Sequence, residues 1–140
     1  MRIITLNANG IRAAARKGFF DWFARQDADV LCLQETRAQR HQLGADITDV
    51  PGYESYFHDA EKPGYSGVAI YTRHSPDRVR HGIGWEDFDR EGRWLRIDLG
   101  RLSIVSLYLP SGTSKEERQA FKFELMERFV PELRRMRRQR

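Results

Sequence analysis

The order of hydrophobic and polar positions predicts most of the elements before composition is considered. Arg2 to Leu6 is a β-branched run that stops at Asn7-Ala8-Asn9-Gly10, a turn signal, so a first strand is expected there. Ala13 to Gln26 carries Phe19, Phe20, Trp22 and Phe23, a spacing that suits a helix packing aromatic side chains on one face. Val30-Leu31-Cys32-Leu33 is an unbroken apolar run and reads as a strand buried on both faces. Strand, helix and strand in this order make a βαβ unit, so the two strands should be parallel and joined by a right-handed crossover.

A polar stretch follows Thr36 and ends at Pro51-Gly52, before a short candidate strand from Tyr53 to His58. Pro63-Gly64 turns the chain into a further strand at Val68 to Thr72, and Gly84 to Arg93 reads as a loop. Trp94 to Asp98 and Leu102 to Leu107 alternate well around Gly100-Arg101 and predict a hairpin. Ser114 with Glu117 makes a capping box for a last helix, whose Phe121, Leu125, Phe129 and Leu133 form one stripe. Pro131 is expected to kink or restart that helix. About six strands and two main helices end on a helix with no following strand, where a helix after a strand usually returns to a sheet.

Composition narrows the class. The 140 residues fit one domain, 40 % apolar content allows a core, and 31 % charged content indicates a solvated surface. No apolar run reaches the ~18 residues of a membrane span. The single cysteine, Cys32, has no intramolecular disulfide partner, which favours a reducing, cytoplasmic setting. The net charge of +4 sits in a tail: Arg134 to Arg140 holds five arginines, and without them acidic residues outnumber basic ones by one. Basicity is thus concentrated rather than spread over the body.

The chemistry centres on the ends of the two parallel strands. In open α/β sheets ligands sit outside the carboxyl ends of strands, where Asn7 ends the first and Glu35 follows the second. A carboxylate at the mouth of a buried strand costs desolvation energy unless something compensates it. A carboxylate with a neighbouring amide suits a hard cation that completes its shell with water. Read by themselves, Asn7 also serves as a turn residue and Glu35 as a solvated strand end or helix cap.

The blocks "TLNANGIRA", "DVLCLQETR", "GYSGVAIYTR", "EGRWLRIDL" and "SLYLPSGTS…FKFELM" occur in this order along the whole chain. Together they resemble the exonuclease III/AP endonuclease family of the endonuclease–exonuclease–phosphatase superfamily. The resemblance implies an α/β fold, the N-terminal portion of a two-sheet DNase I-like sandwich with a mixed sheet and flanking helices. Of this sandwich the chain is expected to build roughly one sheet, its inner face left as a large apolar patch. It implies Glu35 as metal ligand, with Asn7 ordering the site around the scissile phosphate and sharing the metal. Asn9 falls where members carry Asn or Asp near the metal. Tyr108 matches the active-site tyrosine beside the phosphate or leaving group. Arg12 and Lys17 lie in a loop that contacts the DNA backbone, and Gly64, Tyr65 and Ser66 in another. Leu6 departs from the aromatic residue often found before the first asparagine.

The implied cofactor is Mg²⁺, with Mn²⁺ as the alternative. The implied partner is double-stranded DNA carrying abasic sites or 3′ ends, and the implied setting is cytoplasmic DNA repair without a membrane. The family's Asp-x-Asn strand and its terminal Asp-His pair do not occur in the 140 residues. The expectation is therefore the N-terminal part of a longer enzyme, or a chain that self-associates or takes a complementing second half. Two other readings stand beside it. One is an inactive chain that binds DNA or protein through its arginine tail; the other is a different phosphohydrolase of the superfamily. None of His41, His58, His74 and His81 lies in a motif that recommends it as a catalyst.

Overall fold

The computed structural model describes residues 1–110 and 116–139. The strands are β1 (Ile3–Asn7), β2 (Val30–Gln34), β3 (Glu54–His58), β4 (Val68–Thr72), β5 (Arg78–His81), β6 (Trp94–Leu99) and β7 (Leu102–Leu107). The helices are α1 (Ile11–Arg16), α2 (Phe19–Ala24), α3 (Ala45–Thr48), α4 (Glu86–Asp89) and α5 (Glu116–Arg138). One sheet has the order β1-β2-β4-β3 and the other β5-β6-β7. β1 and β2 are parallel, pairing Ile3 with Val30 through Asn7 with Gln34, as the βαβ pattern requires. The remaining pairings are antiparallel.

Period-two alternation assigns the side chains of β2 to two cores. Val30 and Cys32 join Val68 and Ile70 in packing against Leu95, Ile97 and Ile104 of the other sheet. Leu31 and Leu33 point the opposite way, to Ile11, Phe23, Ile47 and Phe57 beneath the helices. A third cluster lies under α4 and α5, where Phe88 and Trp94 meet Leu125, Phe129 and Met136. The layers are helix, sheet, sheet, helix. Burial also pushes the Cys32 thiol up to about 12, so it acts as a small protonated core residue.

Four expectations from the sequence are corrected. The chain builds two stacked sheets, not one, because Arg78–His81 forms β5 and completes a three-stranded partner whose apolar face covers the first sheet. The inner faces are therefore closed. Exposed apolar side chains lie instead on edge strand β1, at Ile3 and Leu6, and on α5, at Phe123, Met126, Val130 and Leu133, with others at Met1, Trp22, Leu102 and Leu109.

The single helix expected over Ala13 to Gln26 is two short ones. Gly18, with φ of +88°, adopts a left-handed turn between them. The turn lets Phe23 enter the core while Trp22 stays partly exposed. On α5 the buried stripe is Leu125, Phe129, Glu132 and Met136, and Leu133 faces outward. Glu132 is tolerated there because Arg80 and Arg135 contact it at 3.2 and 2.7 Å. Pro131 lies within α5, which runs from Glu116 to Arg138 without a break. The capping residue Ser114 lies outside the described residues.

Leu95 is fully buried between the sheets. Leu95→Ala is expected to destabilise the fold by about 2–5 kcal/mol, the usual range for a buried leucine truncation. Urea unfolding checks it, and a loss under ~1 kcal/mol would contradict a packed inter-sheet core.

Candidate active site

Local backbone geometry brings the site together at one end of the sandwich. Beyond β2, Glu35 and Arg37 take left-handed conformations with φ of +54° and +52°, uncommon for residues with a side chain. Neighbouring segments hold them there. Gly10 and Ile11 donate their N–H groups to the carbonyls of Glu35 and Thr36, at 2.8 and 2.9 Å. On the other side Thr36 and Arg37 donate to the carbonyls of Gly67 and Ser66, at 3.1 and 2.8 Å. Gly67 has φ of +87°, and a Cβ on it would collide with the buried Thr36 hydroxyl. Glycine is needed here for both conformation and space.

The Glu35 carboxylate is only 13 % exposed and is contacted from three directions. Asn7 Nδ2 donates to Oε1 at 3.0 Å, Arg37 Nη2 lies 2.6 Å from Oε2, and the nearby Tyr108 hydroxyl also favours the charged form. The Asn7 amide is oriented by its other end, because its Oδ1 accepts the Asn9 N–H at 3.0 Å. Burial pushes the Glu35 carboxyl up. The Asn7 hydrogen bond, the nearby Tyr108 hydroxyl and the charge of Arg37 outweigh this and hold it below the usual glutamate value. The same contact raises the Tyr108 phenol, after burial, because ionising it beside a carboxylate is unfavourable.

Two residues outside the expected set tie the sheets together at this point. Gln34 Nε2 donates to Thr5 Oγ1 and to Ser106 Oγ, both at 3.1 Å, and the Ser106 hydroxyl donates to the Leu33 carbonyl at 3.0 Å. This bridge fixes the ends of β2 and β7, and so places Tyr108 near Glu35. The sequence signal was a buried serine sharing the inward face of β7 with Ile104.

The other sequence candidates are distributed around this centre. Arg12 reaches the Arg37 carbonyl at 3.4 Å. Asn9 and Lys17 line a groove of about 420 Å³ with Leu6, Phe19 and Trp22. Tyr65 is half-buried, donating to Glu91 at 3.1 Å. The Ser66 hydroxyl is buried without a hydrogen-bond partner, so this residue presents its backbone rather than its side chain. The histidines lie elsewhere: His58 contacts the Trp94 carbonyl and the His81 ring, and His74 pairs with Asp29.

The sequence matches the endonuclease/exonuclease/phosphatase family over residues 4–139. The chain belongs to that family. It is 40 % identical over 115 residues to the DNA repair nuclease APEX1 of Danio rerio, covering 81 % of this chain and 37 % of the relative. It is 35 % identical over 125 residues to an exodeoxyribonuclease of Bacillus subtilis, covering 89 % of this chain and 48 % of the relative. An AP endonuclease structure from Archaeoglobus fulgidus superposes with a TM-score of 0.79 at 27 % identity, over 92 % of this chain and 49 % of that one. These relatives place the chain in the exonuclease III/AP endonuclease branch, with the two-sheet α/β fold of that branch. The chain spans less than half the length of these curated relatives.

The donor set fits a hard divalent cation held largely by water. Glu35 offers two carboxylate oxygens, and Mg²⁺ commonly binds through one or two carboxylates while keeping several waters. Among the described residues no group of three or more His, Cys, Asp or Glu is placed to hold a metal. The Asn7 amide turns its N–H groups, not its oxygen, toward Glu35. In this arrangement it orients the carboxylate instead of adding a second oxygen ligand.

Two predictions follow from this geometry. Gly67→Ala is expected to cost about 1–3 kcal/mol, the typical range for a residue forced into a sparsely populated backbone conformation. Chemical denaturation measures it, and a neutral result would show that the Thr36 contact relaxes freely. The Glu35 carboxylate stabilises the fold above the pH where a free glutamate titrates, and that contribution is lost as pH falls through its lowered value. Tyr108→Phe and Asn7→Ala each remove a donor, so the carboxyl midpoint seen by ¹³C NMR should rise in both. An unchanged midpoint would refute the assigned contacts.

Proposed function

We propose that this chain carries the Glu35 side of a divalent-metal-dependent phosphodiesterase that acts on duplex DNA at abasic sites and 3′ ends. The observation that carries the reading is the convergence of Asn7, Tyr108 and Arg37 on one sheltered carboxylate at the sandwich end. Relatives named as a DNA repair nuclease and an exodeoxyribonuclease support the choice of substrate.

In this reading Glu35 would hold Mg²⁺ or Mn²⁺, which when bound would supply positive charge against the charge that develops on the scissile phosphate. Asn7 keeps the carboxylate in one orientation. Tyr108 directs its hydroxyl into the site and limits the carboxylate's rotation. Arg37 contacts the same carboxylate and adds positive charge beside it. Arg12 and Lys17 place positive charge beside the site, where they hold backbone phosphates without reading bases. The tyrosine loop at Tyr65 borders the opposite side. Among the described residues none of the groups that contact Glu35 is a water-activating carboxylate or histidine, and we place that group in a complementing half of the family fold.

The test is incision of a duplex oligonucleotide containing one abasic-site analogue, with Mg²⁺, with Mn²⁺ and with chelator. It is run on this chain alone and mixed with a C-terminal half taken from a relative. Metal-dependent nicking is expected, with Glu35→Ala reducing it by about 10²-fold or more, the scale lost when such electrostatic stabilisation is removed. Duplex binding should weaken with salt and survive deletion of Arg134 to Arg140. Equal behaviour of wild type and Glu35→Ala in both incision and metal binding would overturn the proposal. Binding lost entirely with the tail would favour an inactive chain that uses its arginines.

A further inference from the structure

Arg93 lies immediately before β6, and its side chain is only 3 % exposed. A buried guanidinium is costly unless its donors are met. Here they are. Nε and Nη2 donate to Glu91 Oε1 at 3.3 and 3.2 Å, Nη2 donates to the Tyr65 hydroxyl at 2.8 Å, and Nη1 donates to the Tyr108 carbonyl at 3.2 Å. The guanidinium carbon lies 4.9 Å from the centre of the Tyr108 ring and 5.7 Å from that of Tyr65. The Arg93 carbonyl in turn accepts the Tyr108 N–H at 2.9 Å.

Tyr108 needs such support. It stands one residue beyond β7, which among the described residues has β6 as its only neighbour. Its backbone is therefore gripped from one side, and on that side both of its hydrogen bonds go to Arg93. The cation over its ring adds a third hold. Glu91 and Arg118 complete the support. Arg118 Nη2 donates to the Tyr65 hydroxyl at 2.5 Å and to Glu91 at 3.3 Å. Burial alone would raise the Glu91 carboxyl, but Arg93 and Arg118 hold it below its usual value.

We propose that Arg93 is the positioning residue of Tyr108, holding its ring and backbone so that the hydroxyl meets Glu35. The flat guanidinium serves a carbonyl, a carboxylate, a hydroxyl and two rings at once. Lysine, a point charge on a flexible stem, cannot reproduce this. The same side chain joins the Tyr65 loop to the active-site tyrosine, so the two sides of the candidate site share one anchor. The inference rests on the reading of Tyr108 as a site residue but is tested without requiring turnover.

The chain is labelled with 3-fluorotyrosine, and its ¹⁹F signals are assigned by single Tyr→Phe variants. The Tyr71 signal, from a buried core ring, reports an intact fold. In Arg93→Met and Arg93→Lys the Tyr108 signal should move more than halfway toward its denatured position while that of Tyr71 stays. In Arg118→Ala, which loses contacts to Tyr65, Glu91 and the Phe121 ring but none to Tyr108, Tyr65 should move and Tyr108 should not. Where incision is measurable, Arg93→Lys should lower kcat about tenfold or more with KM little changed, as expected for a misplaced group. A stationary Tyr108 signal in either folded Arg93 variant overturns the inference. Absence of metal-dependent incision in the wild type instead counts against the proposed function, so the two failures are distinct.

Discussion

A carboxylate placed beyond the end of a doubly buried strand is the constraint around which this structure is organised. β2 has apolar neighbours on both faces, so the residue that follows it emerges with little water available. Glu35 remains charged because two donors contact it and the Tyr108 hydroxyl lies nearby, and these groups come from separate parts of the chain: the end of β1, its own turn and the end of β7. Desolvation of a carboxylate raises its pKa, and only dense local compensation reverses the sign. The net lowering at Glu35 shows that the compensation prevails. A sheltered anion with rigid neighbours is also what a strongly hydrated cation needs in order to be held at one place.

That arrangement requires unusual backbone conformations. Glu35, Arg37, Ser66 and Asn9 all have positive φ, and three of these lie in two segments joined by backbone hydrogen bonds from Thr36 and Arg37 to the carbonyls of Gly67 and Ser66. Left-handed residues with side chains persist where their surroundings determine them. Here the loop after β1 and the turn before β4 hold the Glu35 segment between them. Gly67 supplies the close approach that a larger residue would block. The Gln34–Ser106 bridge then locks one sheet's end to the other's, so that Tyr108 arrives from a different sheet at the same carboxylate.

Much of this was legible along the chain. The apolar run at Val30 to Leu33 identified a central strand, and the βαβ pattern put Asn7 beside the segment that carries Glu35. The alternating residue types on either side of Gly100-Arg101 identified the β6–β7 hairpin that delivers Tyr108. Less legible were features governed by contacts distant in sequence. β5 is a short, charged strand, Arg-Val-Arg-His, with no hydrophobic run to announce it, and its pairing with β6 is what makes a second sheet. The stripe of α5 shifted to include Glu132 because Arg80 of β5 waits to pair with it. Arg93 looked like one more charged residue at the end of a polar loop.

The sequence by itself determined the strand periods, the parallel start of the sheet and the identity of the family, because these depend on local patterning and on blocks of residue types in order. Only the tertiary structure decided which groups surround Glu35, how the two sheets close on each other, and that Arg93 is buried against two tyrosines. The physical reason is that the energy of a charge depends on what replaces its water. For Glu35 and Arg93 those replacements are supplied by residues far along the chain, brought within hydrogen-bond reach by packing alone.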